Sequence, residues 1–377
     1  MKCWPTRPLG EVSETVMGQA PPGSQSNFEG KGTPFVKAGE FGERRPIIRE
    51  WTTRPLRFAK SSDVLVCVVG ATCGKLNLGA DCAIGRSVGA IRPNTLLLNQ
   101  MFLFWFLQGW TLRLRMGSQG SAQGVITREM LGYIPIPVPP LPEQERIVKL
   151  LDGADELRKL RVHADRRTAT LIPALFHEMF GDMCPPSVRW PVERLGQLAT
   201  IEATLVDPRL EAYLDLPHIG PDRIERNTGK LLSCKTARED ALISAKFLFD
   251  ERDVLYSKIR PNLRKVAMPT ERGLCSADMY PIRPGPRLSR EYLWAYFLTD
   301  HFTDRAVDLS ARANMPKLNR VQLDSIEAPI PPLPLQREFG QRVTEIRALV
   351  VAQAISLDRL EALFQSMLYR AFSGDLH

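Results

Sequence analysis

The sequence has little that would place it in a membrane or around a metal ion. Its longest apolar stretch, Leu96–Leu107, is interrupted and too short to cross a bilayer. The first residues lack the apolar core of a signal peptide. The seven cysteines are scattered as singles without a CxxC pair, and the five histidines do not cluster. We therefore expect a cytoplasmic protein with reduced thiols, no membrane association and no bound metal.

The sequence also lacks the motifs of familiar catalytic sites. The stretch Val68–Leu78 has a GxxxGK spacing, one residue short of a phosphate loop, and Leu76 replaces the hydroxyl that would bind magnesium. There is no HExxH, and no Asn/Asp-Pro-Pro-aromatic tetrapeptide of the kind that base methyltransferases use. The segment Pro221–Lys230 begins like a nuclease site but lacks the acidic-x-Lys part. We expect no catalytic residue and no cofactor site in this chain.

The composition is that of an ordinary globular protein with room for two or more domains. The 377 residues are 44% hydrophobic and 24% charged. The net charge of +8 is uneven: +7 for residues 1–140, −1 for residues 141–183, +2 for residues 184–332 and zero for residues 333–377. A polyanion would therefore meet the two long segments, and mostly the first.

The chain is a tandem repeat. Six short stretches recur in the same order, at offsets that drift only from 186 to 193 residues. The matches are Trp4–Val12 with Trp190–Leu198, Asp63–Cys67 with Asp253–Ser257, Lys75 with Lys265, Trp105–Leu107 with Tyr296–Leu298, Ile134–Val148 with Ala328–Val343, and Phe180–Met183 with Ser373–Leu376. Each half is thus predicted to be one long domain followed by a shorter helical segment.

The most specific match is the proline-rich junction. "IPIPVPPLPEQERIV" recurs as "APIPPLPLQREFGQRV". The prolines predict a stiff, extended segment that cannot continue a sheet. Pro142 and Pro334 then lie where a helix would begin, because proline lacks only an N–H that has no partner there. Each junction therefore separates a domain from a helix.

The two helical segments show heptad patterns. In the second copy, one row is Val343, Val350, Leu357, Phe364 and Ala371, and the other is Ile346, Gln353, Leu360 and Met367. The first copy is less regular: Ile147, Leu150, Ala154, Leu157, Arg161, Ala164, Thr168, Leu171 and Leu175. We expect the two seams to pack on each other; the alternative is that each helix packs on its own domain. Pro173 predicts a kink or a break in the first helix.

The long domains mix strand and helix patterns. "DVLVCVVG" and "DVLYSKI" indicate buried strands, and "NQMFLFWFLQ" and "REYLWAYFLTD" indicate helices. A polar segment precedes each junction, at residues 117–131 and 309–323. These two segments are typical of a loop that faces a ligand and equally of a plain connector.

Together, the repeated junction, the starts "PLGEV" and "RLGQL" and the closing Leu363–Leu376 resemble the specificity subunit of a type I restriction-modification system over essentially the whole chain. The resemblance implies an α+β fold with two pseudo-repeated mixed α/β target-recognition domains, at residues 1–140 and 184–332. Two long helices, at residues 141–183 and 333–377, would form an antiparallel coiled coil that spaces the domains.

The resemblance also implies a function and partners. Each domain would read one half of an asymmetric, bipartite sequence in double-stranded DNA. Two methyltransferase subunits would dock on the coiled coil, joined in some systems by restriction-translocase subunits. S-adenosylmethionine, ATP and magnesium would be bound by those partners. A rival function from another class is a structural adaptor, with two protein-binding domains on a coiled-coil spacer.

Arginine and lysine recognise guanine edges, and asparagine and glutamine recognise adenine. On that basis the DNA contacts predicted for the first domain are Lys37, Arg44, Arg45, Lys75 and Arg86, with the loop residues Ser118, Gln119, Ser121 and Gln123. Those predicted for the second domain are Lys258, Arg260, Asn262, Arg264 and Lys265, with the loop residues Arg312, Asn314 and Lys317. The densest cluster, Ser257–Lys265, has four cations in nine residues, whereas its match Cys67–Lys75 is nearly uncharged. Each of these residues could instead be an ordinary surface side chain.

Overall fold

The computed structural model describes residues 4–118, 125–181, 189–310 and 316–375. The chain divides into two compact units. Unit 1 comprises Met1–Arg161 and Ser356–His377, and unit 2 comprises Val162–Ile355. Among the described residues, no helix is both long enough and apolar enough to span a membrane.

Short strands and a few long helices make up both units. The helices are α1 (Leu9–Val12), α2 (Gln100–Ser118), α3 (Arg128–Gly132), α4 (Leu141–Ala169), α5 (Leu171–Phe180), α6 (Leu195–Leu198), α7 (Glu211–Leu214), α8 (Arg290–Tyr296), α9 (Asp300–Ser310), α10 (Arg320–Ser325) and α11 (Leu333–Ser373). The strands of unit 1 are β1 (Thr6–Pro8), β2 (Ser13–Met17), β3 (Ser26–Asn27), β4 (Thr33–Val36), β5 (Glu50–Thr52), β6 (Phe58–Ala59), β7 (Val64–Cys67), β8 (Leu76–Leu78), β9 (Cys82–Ile84), β10 (Val88–Pro93) and β11 (Pro135–Pro137). Those of unit 2 are β12 (Val192–Arg194), β13 (Ala199–Ile201), β14 (Leu205–Val206), β15 (Pro217–Ile219), β16 (Lys235–Thr236), β17 (Lys246–Phe249), β18 (Val254–Ser257), β19 (Val266–Ala267), β20 (Gly273–Cys275), β21 (Met279–Pro284) and β22 (Glu327–Pro329).

The two units repeat one sheet plan. Unit 1 has a four-stranded sheet in the order β2-β10-β7-β8 and a five-stranded sheet in the order β3-β5-β4-β9-β6. Unit 2 has β13-β21-β18-β19 and β14-β17-β20-β15-β16. Each five-stranded sheet contains one parallel pair, β4 with β9 and β15 with β20, among antiparallel neighbours. The predicted buried strands are β7 and β18, and every residue of both is buried.

The proline-rich junctions pair as strands, so the expectation that they cannot join a sheet is wrong. β11 pairs antiparallel with β1, and β22 with β12. The Val138 N–H donates to the Pro5 carbonyl at 2.9 Å, and the Leu9 N–H donates to the Ile134 carbonyl at 2.8 Å. A two-stranded ribbon has only edge strands, and proline is tolerated there when its missing N–H is not needed for pairing.

Pro173 marks a helix break, as predicted. Helix α4 ends at Ala169 and α5 begins at Leu171, with Pro173 in its first turn. Proline has no N–H to donate to the carbonyl four residues back, so the helix cannot continue unchanged through Ala169. In contrast, α11 runs unbroken for 41 residues. The helices α5 and α11 are followed by Gly181 and Gly374, which have φ angles of 80° and 83°.

The helices pack on each other through the predicted seam of α11. All nine predicted seam residues of α11 are buried or half-buried, including the polar Gln353. In unit 1, Arg158 of α4 lies 2.6 Å from Glu361 and 4.3 Å from the ring centre of Phe364. In unit 2, the rings of Phe176 and Phe180 of α5 lie 5.6 and 5.3 Å from that of Phe339. Residue numbers rise along one helix as they fall along the other, which is the order of an antiparallel coiled coil.

The register predicted for the first seam is half wrong. The row Ile147, Ala154, Arg161, Thr168 and Leu175 is buried or half-buried as expected. The second row is Leu151, Arg158, Asp165, Ile172 and Met179, one residue beyond the prediction, although the predicted Ala164 is also half-buried. The predicted Leu150, Leu157 and Leu171 are 38%, 57% and 43% exposed. Apolarity alone favoured these leucines, because the true row contains the charged Arg158 and Asp165, and a hydrophobic pattern does not reveal that Arg158 pairs with Glu361.

Candidate nucleic-acid interface

Two turns with the same backbone occupy equivalent places in the units. We call Cys67–Lys75 the first turn and Ser257–Lys265 the second turn. Each follows a buried strand, β7 or β18. Three of their backbone hydrogen bonds match: Cys67 N to Lys75 O at 2.8 Å with Ser257 N to Lys265 O at 3.0 Å, Cys73 N to Gly70 O at 2.9 Å with Leu263 N to Arg260 O at 2.9 Å, and Ile126 N to Val68 O at 2.9 Å with Leu318 N to Lys258 O at 2.8 Å. The fold thus presents two different side-chain sets on one scaffold.

In the second turn, Lys258, Arg260, Asn262 and Lys317 form the most open part. Lys317 is brought in by a bridge to Ile259, and both Arg260 and Asn262 are exposed. Lys258 donates to the Ala277 carbonyl and lies 5.2 Å from the centre of the Tyr280 ring. Burial lowers the pKa of Lys258, and the positive charge of Lys317 lowers it further. Like charges held together in this way favour an anionic ligand.

Two other predicted contacts of the second turn have partners within the protein. The Lys265 ammonium donates to the Pro221 carbonyl at 2.5 Å. Arg264 donates to the Leu298 carbonyl at 3.2 Å and forms an ion pair with Asp300. These bonds tie the turn to the rest of unit 2.

In unit 1, Lys75 and Arg45 also bond to backbone oxygens. The Lys75 ammonium donates to the Phe41 carbonyl at 2.7 Å, as its match Lys265 does to Pro221. Arg45 is exposed overall and donates to the Gly79 carbonyl at 2.7 Å. Lys75 and Lys265 therefore each hold a neighbouring loop against their own turn.

Lys37 and Arg86 both lie next to Gly85, which the Lys37 side chain approaches closely. A Cβ atom at Gly85 would come within 3.0 Å of the Lys37 side chain, so Lys37 packs directly beside the residue that precedes Arg86. The Lys37 ammonium forms an ion pair with Glu50, whose side chain is only 8% exposed. Arg86 is exposed in the turn between β9 and β10. Of this pair, Arg86 is better placed to meet a ligand.

Arg44 reaches the spacer helix. Its guanidinium lies 2.8 Å from Asp155 and 3.1 Å from Asp152, both on α4, and 5.2 Å from the centre of the Trp105 ring. The Trp105 indole N–H also donates to Asp152 at 3.2 Å. Arg44 therefore connects the sheet domain of unit 1 to the helix that follows it.

Six predicted contacts lie outside what the structure describes. Gln119, Ser121, Gln123, Arg312 and Asn314 are outside the described residues, and Ser118 ends α2 without a described side chain. The contact of all these residues with DNA stays a prediction, as does that of the described residues above.

Two buried glutamines were missed by sequence reasoning. Gln144 and Gln336 are both 0% exposed. Gln144 donates to the Leu97 and Pro139 carbonyls and accepts from the Asn99 N–H, each at 2.8 Å. Gln336 donates to the Arg287 carbonyl at 3.0 Å and the Pro331 carbonyl at 2.7 Å, and accepts from the Ser289 N–H at 2.8 Å. Each glutamine stands two residues after a repeated proline, Pro142 or Pro334, and this repeated position could have identified both from the sequence.

The metal-binding and thiol side chains of the described residues form no grouped site. Within the described parts of the chain, no three His, Cys, Asp or Glu side chains group as a metal ion would require. Of the cysteines described there, Cys67, Cys82, Cys234 and Cys275 are free. Burial raises the pKa of Cys82 to about 12 and that of Cys275 still further, which disfavours a nucleophilic thiolate at either residue.

Comparison with known proteins gives a consistent result. The family model described as the type I restriction modification DNA specificity domain matches residues 1–164 and again 187–351. The type I restriction enzyme EcoDI specificity subunit of Escherichia coli is 30% identical, over 99% of this chain and 88% of that protein. The putative MjaX specificity subunit of Methanocaldococcus jannaschii is 33% identical over 42% of this chain and 38% of its own length.

Solved structures show the same fold. A chain from a structural study of the assembly and conformational transition of the type I R-M system has a TM-score of 0.65 at 20% identity, covering 100% of this chain and 99% of that one. The type I restriction-modification S subunit from M. genitalium has a TM-score of 0.60 at 16% identity, covering 98% of this chain and 96% of that one. With both halves matched by the family model and a relative of 30% identity spanning nearly the whole sequence, this chain belongs to the DNA specificity subunits of type I restriction-modification systems.

Proposed function

We propose that the two units of this chain each read one half of an asymmetric, bipartite sequence in double-stranded DNA. The observation that carries the proposal is the pair of matched turns. They share three backbone hydrogen bonds, yet the first turn is nearly uncharged and the second has four cations. A common scaffold with different side chains is what two readers of unlike half-sites require, because base contacts set sequence while phosphate contacts set position.

The chain directs chemistry that its partners perform. The methyltransferase tetrapeptide, HExxH and a complete phosphate loop are missing from the sequence. The proposal is therefore a non-catalytic subunit without its own cofactor, acting in the cytoplasm. S-adenosylmethionine, and ATP with magnesium where a restriction subunit is present, would be bound by partner subunits.

A surface for those partners is available on α4. Leu150, Leu157 and Leu160 are 38%, 57% and 57% exposed and follow each other at helical spacing around Gly153. Apolar side chains aligned on one solvent-facing stripe favour association with another protein. We propose that this stripe helps to dock one of two methyltransferase subunits, and that the second subunit uses another part of the helical spacer.

An exchange of domains tests the reading function. Residues 1–140 would be replaced by the recognition domain of a relative with a different target, and the complex with methyltransferase subunits would be given genomic DNA. We expect the methylated sequence to change in one half-site and to stay the same in the other. An unchanged sequence in both halves, with activity intact, would contradict the proposal.

A salt titration separates the reader from the structural adaptor. Binding of the assembled complex to its target should weaken steeply as salt rises, since cations that neutralise phosphates release counterions. No sequence-specific binding at any salt concentration, with methyltransferase present, would instead support the adaptor. None of the observations above favours the adaptor over the reader.

A further inference from the structure

The second turn places two arginines in a backbone conformation that arginine disfavours. Arg260 has φ 49° and ψ 64°, and Arg264 has φ 46° and ψ 48°. This left-handed region brings the Cβ atom close to the following carbonyl oxygen, so residues other than glycine visit it rarely. Only Asn227 and Ala241 share this feature among the other non-glycine residues that the structure describes. Strain of this kind persists only where something else compensates for it.

The first turn shows that the fold itself does not require arginine. Gly70 and Gly74 stand at the positions equivalent to Arg260 and Arg264, with φ angles of 89° and 84°. Three matched hydrogen bonds and the left-handed φ angles at both positions show that the two turns follow a similar backbone path. Glycine satisfies that path without strain. The presence of arginine at each position must therefore be explained by what its side chain does.

For Arg264, side-chain contacts within the protein provide this explanation. Its guanidinium bonds to the Leu298 carbonyl at 3.2 Å and pairs with Asp300, the first residue of α9. Only 26% of its side chain is exposed. These contacts anchor the turn to the connection between α8 and α9 and offset the strain at Arg264.

Arg260 has no comparable contact with any residue that the structure describes. Its backbone is fixed, because its N–H donates to the Pro316 carbonyl at 2.8 Å and its carbonyl accepts from the Leu263 N–H at 2.9 Å. Its side chain is exposed and forms no hydrogen bond, ion pair or ring contact within the described part of the molecule. Among the described residues, backbone hydrogen bonds hold Arg260 in this conformation, and no side-chain contact offsets its strain.

The neighbours of Arg260 favour an anionic ligand. Lys258 lies two residues before it, and Lys317, whose backbone bridges to Ile259, acts with its positive charge on Lys258. The negative charge of Asp278 raises the pKa of Lys258, but burial and the positive charge of Lys317 lower it by more. A polyanion such as the DNA backbone would relieve the repulsion between these cations and bring Arg260 against the edges of the bases.

We infer that Arg260 is the specificity-determining residue of the second turn and that it recognises a guanine, while Arg264 only positions the turn. The two major-groove acceptors of guanine, O6 and N7, match the two parallel donors of a guanidinium, which is the commonest specific contact of arginine. This inference rests on the proposed function, since it assigns a base to a turn that was proposed to read DNA.

The test uses the complete complex with methyltransferase subunits and duplexes in which each base pair of the half-site is changed in turn. Arg260→Gly is the informative variant, because glycine adopts the turn without strain. We expect it to lose discrimination of about 10-fold or more at a single G·C pair and to retain discrimination at the other positions. Its melting temperature should be unchanged or raised by about 2 °C.

Arg264→Gly is the matched control. It should lower the melting temperature, because two anchoring contacts are lost, while the folded fraction keeps the same base preference. Arg260→Lys retains the charge but not the two parallel donors, so it should also lose discrimination at the same pair. Loss of discrimination at the same single base pair in both Arg260 variants supports the inference.

Three results would overturn it. Arg260→Gly could keep full discrimination at every position, weaken binding equally on all sequences as a phosphate contact would, or destabilise the protein as much as Arg264→Gly does. A wild-type complex without any sequence preference would refute the proposed function itself, and is therefore distinguishable from failure of the assignment of Arg260.

Discussion

The guanidinium of Arg44 lies 2.8 Å from the carboxylate of Asp155, which joins a loop of the sheet domain to the spacer helix α4 in unit 1. The Asp155 side chain is only 12% exposed, and it also pairs with Arg158 at 3.2 Å. A carboxylate so placed depends on its cations, because a partly buried charge without a partner is costly.

Replacing Arg44 with alanine should therefore lower the free energy of unfolding of unit 1 by about 2 kcal/mol. The matched control is Arg45→Ala, which removes an exposed side chain with one bond to a carbonyl and should cost less than about 1 kcal/mol. Urea unfolding measures both. A double-mutant cycle with Asp155→Ala should give a coupling free energy of about 1 kcal/mol or more.

The same variants tell whether Arg44 also contacts DNA. A phosphate contact would appear as a decrease of about one in the slope of log affinity against log salt. If the DNA contact predicted for Arg44 exists, Arg44→Ala in the assembled complex should show this decrease, and an unchanged slope would contradict that contact. A reduced slope together with unchanged stability would mean that Arg44 acts on DNA and not on the helix.

The junction glutamine should be among the most sensitive polar residues of the chain. Gln144→Ala leaves the Asn99 N–H and the carbonyls of Leu97 and Pro139 without a partner, and should cost about 3 kcal/mol. Gln336→Ala should behave alike in unit 2, whereas Gln341→Ala, at an exposed position of α11, should change the free energy of unfolding by less than about 0.5 kcal/mol. Equal effects at buried and exposed glutamines would contradict a junction role.

Two leucines on opposite sides of the burial pattern of α4 allow docking and folding to be tested separately. Leu157 is 57% exposed, so Leu157→Arg should leave stability within about 0.5 kcal/mol but weaken assembly with the methyltransferase subunit. Leu151 is 0% exposed, so Leu151→Ala should cost about 2–4 kcal/mol. Analytical ultracentrifugation of the mixed subunits measures assembly, and urea unfolding measures stability. Normal assembly by Leu157→Arg would exclude the stripe as a docking surface.

The stability of unit 2 should depend on pH through the protonation of His301. Burial lowers the pKa of His301 below its ordinary value of 6.5, the charge of Arg305 lowers it further, and Asp304 opposes the shift. Because the pKa is lower in the folded state, the unfolded chain takes up the proton first as pH falls. The contribution to stability is therefore complete above pH 6.5 and is lost progressively below it.

The melting temperature of the wild type should accordingly drop between pH 7.5 and pH 5.5, in a range where few carboxylates titrate. His301→Gln cannot be protonated, so its melting temperature should depend less on pH over the same range. An identical pH dependence in the two proteins would show that His301 does not control it.

The sequence by itself determined the plan of this protein. The ordered matches established the repeat, the apolar runs located the strands β7 and β18, and the heptads of α11 indicated its inward face residue by residue. Pro142, Pro334 and Pro173 predicted where helices begin or break. All of these features depend on the chemistry of neighbouring residues along the chain, so a linear pattern is enough to reveal them.

Only the tertiary structure decided which residues are partnered. The inward row of α4 contains Arg158, because Glu361 and Phe364 meet it from a helix that lies some 200 residues away in the sequence. Likewise, Arg260 and Arg264 look alike in the sequence, yet one is anchored by Leu298 and Asp300 and the other is exposed. Partners of this kind come from distant segments that folding brings together, and no local pattern of residues encodes them.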